Sequence, residues 1–210
     1  MDQDASKGRP GRKRSEQSRA AVLQAALKLL REQGYAALSI EAIARDAGVG
    51  KQTIYRWWTS KASVVLEALV AQAPTPLAPP SHGSLGEVLE AFLASTFQAL
   101  KTPRGTGDIL RGLMAEAQLD AQFATEFRTG LIERRRELLR SVLAQAQARG
   151  ELAADVDLFL LVDMAFGVMW YRLLVGHAPL DRALAHELAS LLLRAGAPSA
   201  PRRPSRPTKA

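Results

Sequence analysis

Apolar residues recur at helical spacing along most of the 210-residue chain, and no long β-branched segment alternates apolar and polar positions. The first such pattern runs from about Ser15 to Gln33 and is closed by Gly34, a residue typical of helix ends. Similar patterns predict helices at about 40–47, 51–58, 60–72, 84–100, 108–118, 121–149, 157–175 and 181–194. The sequence therefore predicts an all-α protein of about nine helices.

Polar residues mark where several of these helices begin. Ser39, Ser60, Asp157 and Asp181 stand where side-chain oxygens can accept a hydrogen bond from the first helical turn. Ser84, followed three residues later by Glu, forms a capping box. The proline-rich stretch 73–82 separates an N-terminal group of short helices, 15–73, from a longer helical body, 74–194.

The most specific pattern is the segment Ser39–Trp58, in which two short helices meet at a sharp turn. Gly48 supplies the turn, because glycine adopts a positive φ without penalty. Ala44, four residues earlier, is small enough for the second helix to approach the first. We expect one buried face formed by Ile40, Ile43, Ala47, Val49, Ile54 and Trp58. This arrangement predicts a helix-turn-helix motif; the alternative is a glycine turn between two ordinary core helices.

In a helix-turn-helix, the N-terminal residues of the second helix meet base edges in the major groove. Gln52 can pair bidentately with adenine, and Thr53 offers a hydroxyl and a methyl group for thymine. The polar tips of Tyr55 and Trp57 can reach phosphate. We expect further contacts from Lys51 and Arg56, and from Lys61, whose place in a first helical turn suits a bound phosphate. Trp57 as a core residue remains the alternative for that side chain.

Net charge is +7, and its distribution is more informative than its sum. Residues 1–73 carry 12 basic and 7 acidic side chains, residues 74–194 carry 12 and 14, and residues 195–210 carry 4 basic side chains with no acidic ones. A basic N-terminal part joined to a slightly acidic body predicts a polyanion-binding module attached to a second functional unit.

Two basic segments flank the helical region. The arm 1–14 contains Gly8-Arg9-Pro10, an extended segment of the kind that inserts arginine into an A·T-rich minor groove, together with Arg12, Lys13 and Arg14. The alternative is a solvated basic tail attracted to phosphate without sequence preference. We expect the C-terminal tail 195–210, with its prolines and arginines, to be disordered.

Several classes of protein are excluded. The chain has no cysteine, so it has neither disulfides nor thiolate metal sites. Its three histidines lack metal-ligand spacing, and it contains no phosphate loop, nucleophile elbow or HExxH sequence. We therefore expect no enzyme activity, cofactor or metal. The longest uncharged stretch carries four prolines and no signal peptide is visible, which predicts a cytoplasmic protein without a membrane partner.

Residues 15–73 resemble the DNA-binding domain of the TetR (tetracycline-repressor-type) family of bacterial transcriptional regulators. The resemblance rests on Ala25-Ala26, Gly34-Tyr35, Ser39-Ile40, Ile43-Ala44, Ala47-Gly48-Val49, Thr53-Ile54-Tyr55 and Ser60-Lys61. It implies an all-helical homodimer, a C-terminal ligand-binding domain and repression that is released when a ligand binds. It also places DNA contacts at Gln52, Thr53, Tyr55, Trp57 and Lys61, with Ser39 a further candidate. Gly50 departs from the polar residue that the family often has at this position.

The body resembles the family only in architecture. Large apolar side chains on its helices are expected to line an effector pocket: Phe92, Phe97, Met114, Phe127, Phe166, Trp170 and Tyr171. The alternative for each is an ordinary core position. The scarcity of charge in these segments suggests an apolar or weakly polar small-molecule effector. The resemblance implies that the last two helices form the dimer interface, where we expect Ala165 and Gly167 to permit close approach and Leu188, Leu191 and Leu192 to supply apolar surface.

Together these features predict a transcriptional repressor that binds a palindromic double-stranded DNA operator as a homodimer and is released by its effector. The alternative is a DNA-architectural protein that uses its basic arm and tail without an effector. Arginine outnumbers lysine 21 to 7, which is typical of a GC-rich bacterial genome.

Overall fold

The structure, a computed structural model, describes residues 10–72, 83–101 and 105–198, with the backbone alone described for residues 10–14. Over these residues it contains ten α-helices and one π-helical turn. They are α1 (Pro10–Ala37), α2 (Ile40–Asp46), α3 (Lys51–Tyr55), α4 (Lys61–Gln72), α5 (Leu85–Lys101), α6 (Thr106–Leu119), α7 (Ala121–Phe127), the π turn (Arg128–Ile132), α8 (Glu133–Ala148), α9 (Leu158–Val175) and α10 (Arg182–Gly196).

The all-α prediction is confirmed. Since α7, the π turn and α8 follow one another without a break, the described residues form nine helical segments. The predicted caps are present: Ser39 accepts from the Ala42 amide, Ser60 from Ser63, and Asp157 and Asp181 cap α9 and α10. In the capping box, the Glu87 carboxylate accepts from the Ser84 backbone N–H at 2.8 Å, and this bond lowers the pKa of Glu87.

Several boundaries differ from the predictions. α1 begins at Pro10 rather than near Ser15, and after the break at Gly34 one further turn reaches Ala37. α3 ends at Tyr55 rather than at Trp58, and α10 continues to Gly196, two residues into the predicted tail. The linker 73–82, the arm up to residue 9 and the tail from residue 199 lie outside the described residues.

Contacts divide the chain into two compact units. The first comprises residues 1–77 and 96–135, so it joins α1–α4 to α6, α7 and the π turn. Within it α1 packs against α2, α4 and α6, and α4 packs against α6, α7 and the π turn. Its largest fully buried side chains include Leu30, Ile43, Ile54, Leu113 and Phe123.

The second unit comprises residues 78–95 and 136–210. In it α9 packs against α10, and Leu139, Leu143, Leu161 and Leu192 are fully buried. The Glu90 carboxylate on α5 lies 2.8 Å from His186 Nδ1 on α10, which connects those two helices. The Ala153 amide donates to the Gly196 carbonyl at 2.8 Å and fixes the end of α10.

Candidate functional site

The turn between α2 and α3 has the geometry that the helix-turn-helix prediction requires. Gly48 has a φ of 65°, in the left-handed region that favours glycine. Immediately after it, the Val49 amide donates to the Ala44 carbonyl at 3.0 Å, which closes the turn against α2. Gly50 caps α3 without a side-chain hydrogen bond.

The buried face of the motif is close to the predicted one. Ile43 and Ile54 are fully buried, and Ile40 and Trp58 are 7% and 4% exposed. Ala47 and Val49 are only half-buried. The α2–α3 pair is therefore held to the first unit mainly by isoleucine and tryptophan side chains.

The opposite side of α3 is exposed. Lys51, Gln52, Tyr55 and Arg56 face solvent, with Tyr55 54% exposed, while Thr53 is half-buried. A short helix that presents amide, hydroxyl and cationic groups on one side has the chemistry needed to read base edges and bind phosphate. We refer to Lys51, Gln52, Thr53, Tyr55 and Arg56 as the α3 face.

A carboxylate lies beside this face. The Lys51 ammonium is 3.0 Å from the Glu41 carboxylate of α2. The hydrogen bond and opposite charge of Glu41 raise the pKa of Lys51, and the same hydrogen bond lowers the pKa of Glu41. Both groups are ionised at neutral pH, so Glu41 offsets part of the positive charge at the start of α3.

Two tryptophans follow α3. The guanidinium of Arg56 lies 4.9 Å from the centre of the Trp57 ring, and Trp57 meets Trp58 edge to face at 5.5 Å. Trp58 donates from Nε1 to the Glu67 carboxylate at 2.9 Å, and Arg19 donates to the same oxygen at 2.8 Å. Trp57 is half-buried, so it holds a position between the exposed α3 face and the packed interior.

Lys61 is half-buried and makes contacts within the protein. Its ammonium donates to the carbonyls of Leu38 at 3.3 Å and Tyr35 at 3.5 Å, and it lies 4.7 Å from the centre of the Tyr35 ring. Carbonyls at a helix end favour a cation, so these contacts hold the ammonium beside the end of α1, and its phosphate contact stays a prediction. Ser39 is likewise half-buried and occupied as the α2 cap.

The basic arm is only partly described. The backbone from Pro10 onward is helical, so the extended conformation expected around Gly8-Arg9-Pro10 does not continue through Arg12, Lys13 and Arg14. Arg9, and the side chains of those three residues, lie outside the described part of the chain.

The seven residues expected to line an effector pocket fall in both units. Phe97, Met114 and Phe127 belong to the first unit, and Phe92, Phe166, Trp170 and Tyr171 belong to the second. Phe92, Phe97 and Phe127 are buried, and Met114, Phe166 and Trp170 are half-buried. Phe92 meets Phe166 edge to face at 6.4 Å. Tyr171 is 61% exposed and packs against His177, and its role as a lining residue stays a prediction.

A cavity of about 410 Å³ lies within the first unit, and none of those seven residues lines it. Its walls are Trp57, Trp58, Thr59, Ser63, Leu66, Glu67, Val70, Gln122, Glu126, Gly130 and Arg134. We refer to it as the tryptophan cavity. The sequence pattern did not predict it, because it depends on how the α3–α4 segment packs against α7 and the π turn.

An exposed apolar surface follows α9 and reaches α10. Its large side chains, each between 46% and 62% exposed, are Phe159, Leu160, Tyr171, Leu174, Val175 and Leu191, and Gly167 is exposed among them. We refer to this set as the α9–α10 face. The predicted interface is corrected at Ala165, Leu188 and Leu192, which are at most 3% exposed and belong to the core of the second unit.

Among the described helices, α9 alone has the length and composition of a membrane span, with a mean hydropathy of 1.8 over Leu158–Val175. Only 28% of this segment is buried. Its apolar character therefore extends around the helix, on both the packed and the exposed sides.

Comparison with known proteins gives two family matches. The family described as "Bacterial regulatory proteins, tetR family" matches residues 22–68, and that described as "Tetracyclin repressor-like, C-terminal domain" matches residues 79–192. The first match contains α2, α3 and the turn between them.

Individual proteins give the same result. The HTH-type transcriptional regulator YdeS of Bacillus subtilis (strain 168) is 33% identical over 165 residues, covering 79% of this chain and 82% of YdeS. The DNA-binding transcriptional repressor TetR of Mycobacteroides abscessus is 32% identical over 192 residues, covering 88% of this chain and 98% of that protein. Among solved structures, the TetR family transcription regulator SCO0332 superposes with a TM-score of 0.74 at 36% identity, covering 87% of this chain and all of that chain.

Proposed function

Because the chain belongs to the TetR family of bacterial transcriptional regulators, we propose that it represses transcription by binding a palindromic DNA operator as a homodimer. Binding of a small-molecule effector releases it from the operator. The observation that carries the DNA-binding step is the α3 face, a short helix presenting Gln52, Thr53 and Tyr55 between the cations Lys51 and Arg56.

The residues of the α3 face divide into two roles. Gln52 and Thr53, in the first turn of α3, read base edges, with the glutamine amide suited to adenine. Lys51, Tyr55 and Arg56 contact phosphate and fix the position of the helix on the duplex. Trp57 supports Arg56 through the ring contact at 4.9 Å. Arg9, Arg12, Lys13 and Arg14 add electrostatic attraction to the flanking DNA.

Dimerisation is supported by the α9–α10 face. An exposed patch of several large apolar side chains is unusual on a monomeric surface and is typical of an interface. A two-fold axis through this face brings the same surface of two copies together. The same axis relates the α3 helices of the two copies, the recognition helices, which then read the two halves of a palindrome. In the proposed dimer, the second copy covers the exposed apolar surface of α9.

Effector binding is assigned to the C-terminal domain, which carries two separate sets of candidate lining residues: Phe97, Met114 and Phe127 in the first unit, and Phe92, Phe166 and Trp170 in the second. Ser63 is the one buried polar or charged residue among the described residues, which favours an apolar or weakly polar effector. The protein acts in the cytoplasm, and its function includes no catalytic step.

The packing of the first unit supplies a route from effector to DNA. Tyr35 of α1 donates to Glu116 of α6 at 3.3 Å, and Ser63 of α4 donates to Glu126 of α7 at 2.8 Å. A displacement of α6 and α7 is therefore passed to α1 and α4, and α1 passes it to α2 of the helix-turn-helix motif, against which it packs. The spacing of the two recognition helices changes, and operator affinity falls.

A nuclease footprint on DNA upstream of the protein's own gene tests this function. We expect one protected inverted repeat. We expect Gln52→Ala to protect that repeat no better than other DNA. Gln98→Ala, which changes an exposed glutamine of α5, is the matched control and keeps the footprint. Diffuse coverage of A·T-rich DNA by both variants and the unaltered protein would contradict the proposal and indicate an architectural role.

A further inference from the structure

The tryptophan cavity has the size of a small-molecule site. Its volume of about 410 Å³ lies within the range that ligand pockets occupy, roughly 300–1,000 Å³. All of its walls belong to the first unit, from the end of α3 through α4 on one side and α7 to the start of α8 on the other. None of the candidate effector-lining residues is among its walls, so the cavity is distinct from that lining.

One side of the cavity is aromatic and apolar. Trp57 and Trp58 contribute two indoles set edge to face, and Leu66 and Val70 continue the apolar wall along α4. Both indoles make cation–π contacts within the protein. The Arg56 guanidinium lies 4.9 Å from the centre of the Trp57 ring, and the Arg19 guanidinium lies 5.9 Å from the centre of the Trp58 ring. Indole is the side chain that attracts a cation most strongly through its π-system.

The other side carries a carboxylate whose charge is not neutralised. Glu126 is half-buried, accepts from the Ser63 hydroxyl at 2.8 Å, and takes part in no ion pair within the described residues. The second carboxylate of the wall, Glu67, is paired with Arg19. Arg134 is the one cation of the wall, and it is exposed, so solvent screens its charge more than that of Glu126.

We propose that the tryptophan cavity binds an amphipathic organic cation, a flat aromatic ring system carrying a positively charged nitrogen. The ring packs between the indoles and the Leu66–Val70 wall, and the charged nitrogen lies against the Glu126 carboxylate. An aromatic carboxylate is disfavoured because Glu126 and Glu67 both face the cavity. Since Trp57 adjoins the α3 face, the occupied site borders the DNA-binding residues.

Isothermal titration calorimetry of the full-length protein without DNA tests the proposal. The probe is N-methylquinolinium, compared at pH 7.5 with neutral quinoline and with the anion 2-naphthoate. We expect one N-methylquinolinium per chain, bound at least about tenfold more tightly than either of the other two compounds. Because no DNA is present, the result is independent of the repressor function.

Two variants locate the bound cation. Glu126→Gln keeps an oxygen that can accept from Ser63 but removes the charge, and we expect binding about tenfold weaker. Gly130→Met extends a side chain toward Leu66 and fills the cavity, whereas Gly130→Ala places a β-carbon in ordinary contact at 3.6 Å and is the control. We expect the methionine variant to lose binding and the alanine variant to retain it.

Circular dichroism spectra and thermal melts establish that each variant is folded. Glu187→Gln, an exposed carboxylate of α10, controls for a general change in net charge and should bind as the unaltered protein does. Equal affinity for the cation, quinoline and naphthoate would overturn the proposal. So would N-methylquinolinium binding that both Glu126→Gln and Gly130→Met leave unchanged.

Discussion

The ring of Tyr35 occupies the space in which a β-carbon on Gly112 would stand. Such an atom would lie 2.2 Å from Cδ1 of the ring and 2.6 Å from Cε1, which is closer than side-chain atoms approach one another. Glycine at this position of α6 therefore permits the contact with α1. The Tyr35 hydroxyl then reaches Glu116, one helical turn further along α6.

Gly112→Ala tests this contact. Alanine is the better helix former, so propensity alone predicts a gain of up to about 1 kcal/mol. We expect instead a loss of about 1–3 kcal/mol in the free energy of unfolding, because the Tyr35 ring must move. Urea denaturation followed by circular dichroism measures it. Gly130→Ala, whose β-carbon makes only an ordinary contact with Leu66 at 3.6 Å, should be neutral or stabilising. Equal behaviour of the two variants would show that α6 can shift freely away from α1.

Stability should decline at alkaline pH through Tyr35. Burial, the charge of Glu116 and the hydrogen bond to it raise the pKa of this phenol above the value of about 10 found in unfolded chains. Above pH 10 the Tyr35 phenol therefore loses its proton in the unfolded chain but keeps it in the folded protein. The contribution of Tyr35 to the free energy of unfolding is then lost as pH rises.

Tyr35→Phe isolates that contribution. We expect the variant to be less stable than the unaltered protein by about 0.5–1.5 kcal/mol at pH 8, where one hydrogen bond is missing. This difference in the free energy of unfolding between the two proteins should become smaller from pH 10 to pH 11, as measured by urea denaturation at each pH. Tyr55→Phe removes an exposed hydroxyl and should show no such change with pH. If the difference in the free energy of unfolding between Tyr35→Phe and the unaltered protein stays constant up to pH 11, the phenol does not keep its proton in the folded state.

Glu41→Gln should strengthen DNA binding. The substitution removes the carboxylate paired with Lys51 at 3.0 Å, which leaves that ammonium available to phosphate and raises the positive charge beside α3. We expect affinity about two- to fivefold higher at low salt, with a steeper dependence on salt concentration. Fluorescence anisotropy over a salt series measures both quantities. Glu187→Gln is the matched control; the same response in both variants would assign the effect to net charge rather than to Lys51.

Leu174→Glu should dissociate the proposed dimer. Leu174 is 46% exposed on the α9–α10 face, and a carboxylate placed there would be buried without a partner in a two-fold interface. Light scattering coupled to size-exclusion chromatography should give the mass of two chains for the unaltered protein and of one chain for the variant. Leu119→Glu alters an 86% exposed leucine of α6 and should remain dimeric. A Leu174→Glu protein with the mass of two chains would place the interface elsewhere.

The features that were predictable from the sequence are local ones. Ser39, Asp157 and Asp181 act on amides two or three residues away, so their type and position suffice to indicate where helices begin. Gly48 was predictable for the same reason, since a positive φ restricts the residue type at that one position. The helix-turn-helix prediction rests on such local rules together with a short apolar repeat.

The features that were missed depend on residues distant in sequence. The apolar residues of α9 surround the helix, so periodicity did not distinguish Ala165, which is buried, from Tyr171, which is exposed. The position of Lys61 in the first turn of α4 predicts a phosphate contact, but it does not predict the two carbonyls, more than twenty residues earlier in the chain, to which the ammonium donates. The tryptophan cavity likewise exists only because α4 packs against α7 and the π turn.

Selection of DNA from a random duplex library by the purified protein tests the central claim most directly. The proposed repressor should enrich one inverted repeat whose half-sites lie about one helical turn apart, centre to centre, or a multiple of it, with a common spacing in every recovered sequence. Gln52→Ala should recover the same spacing with weaker preference at the bases that it contacts. Recovery of A·T-rich sequences without an inverted repeat would contradict the account.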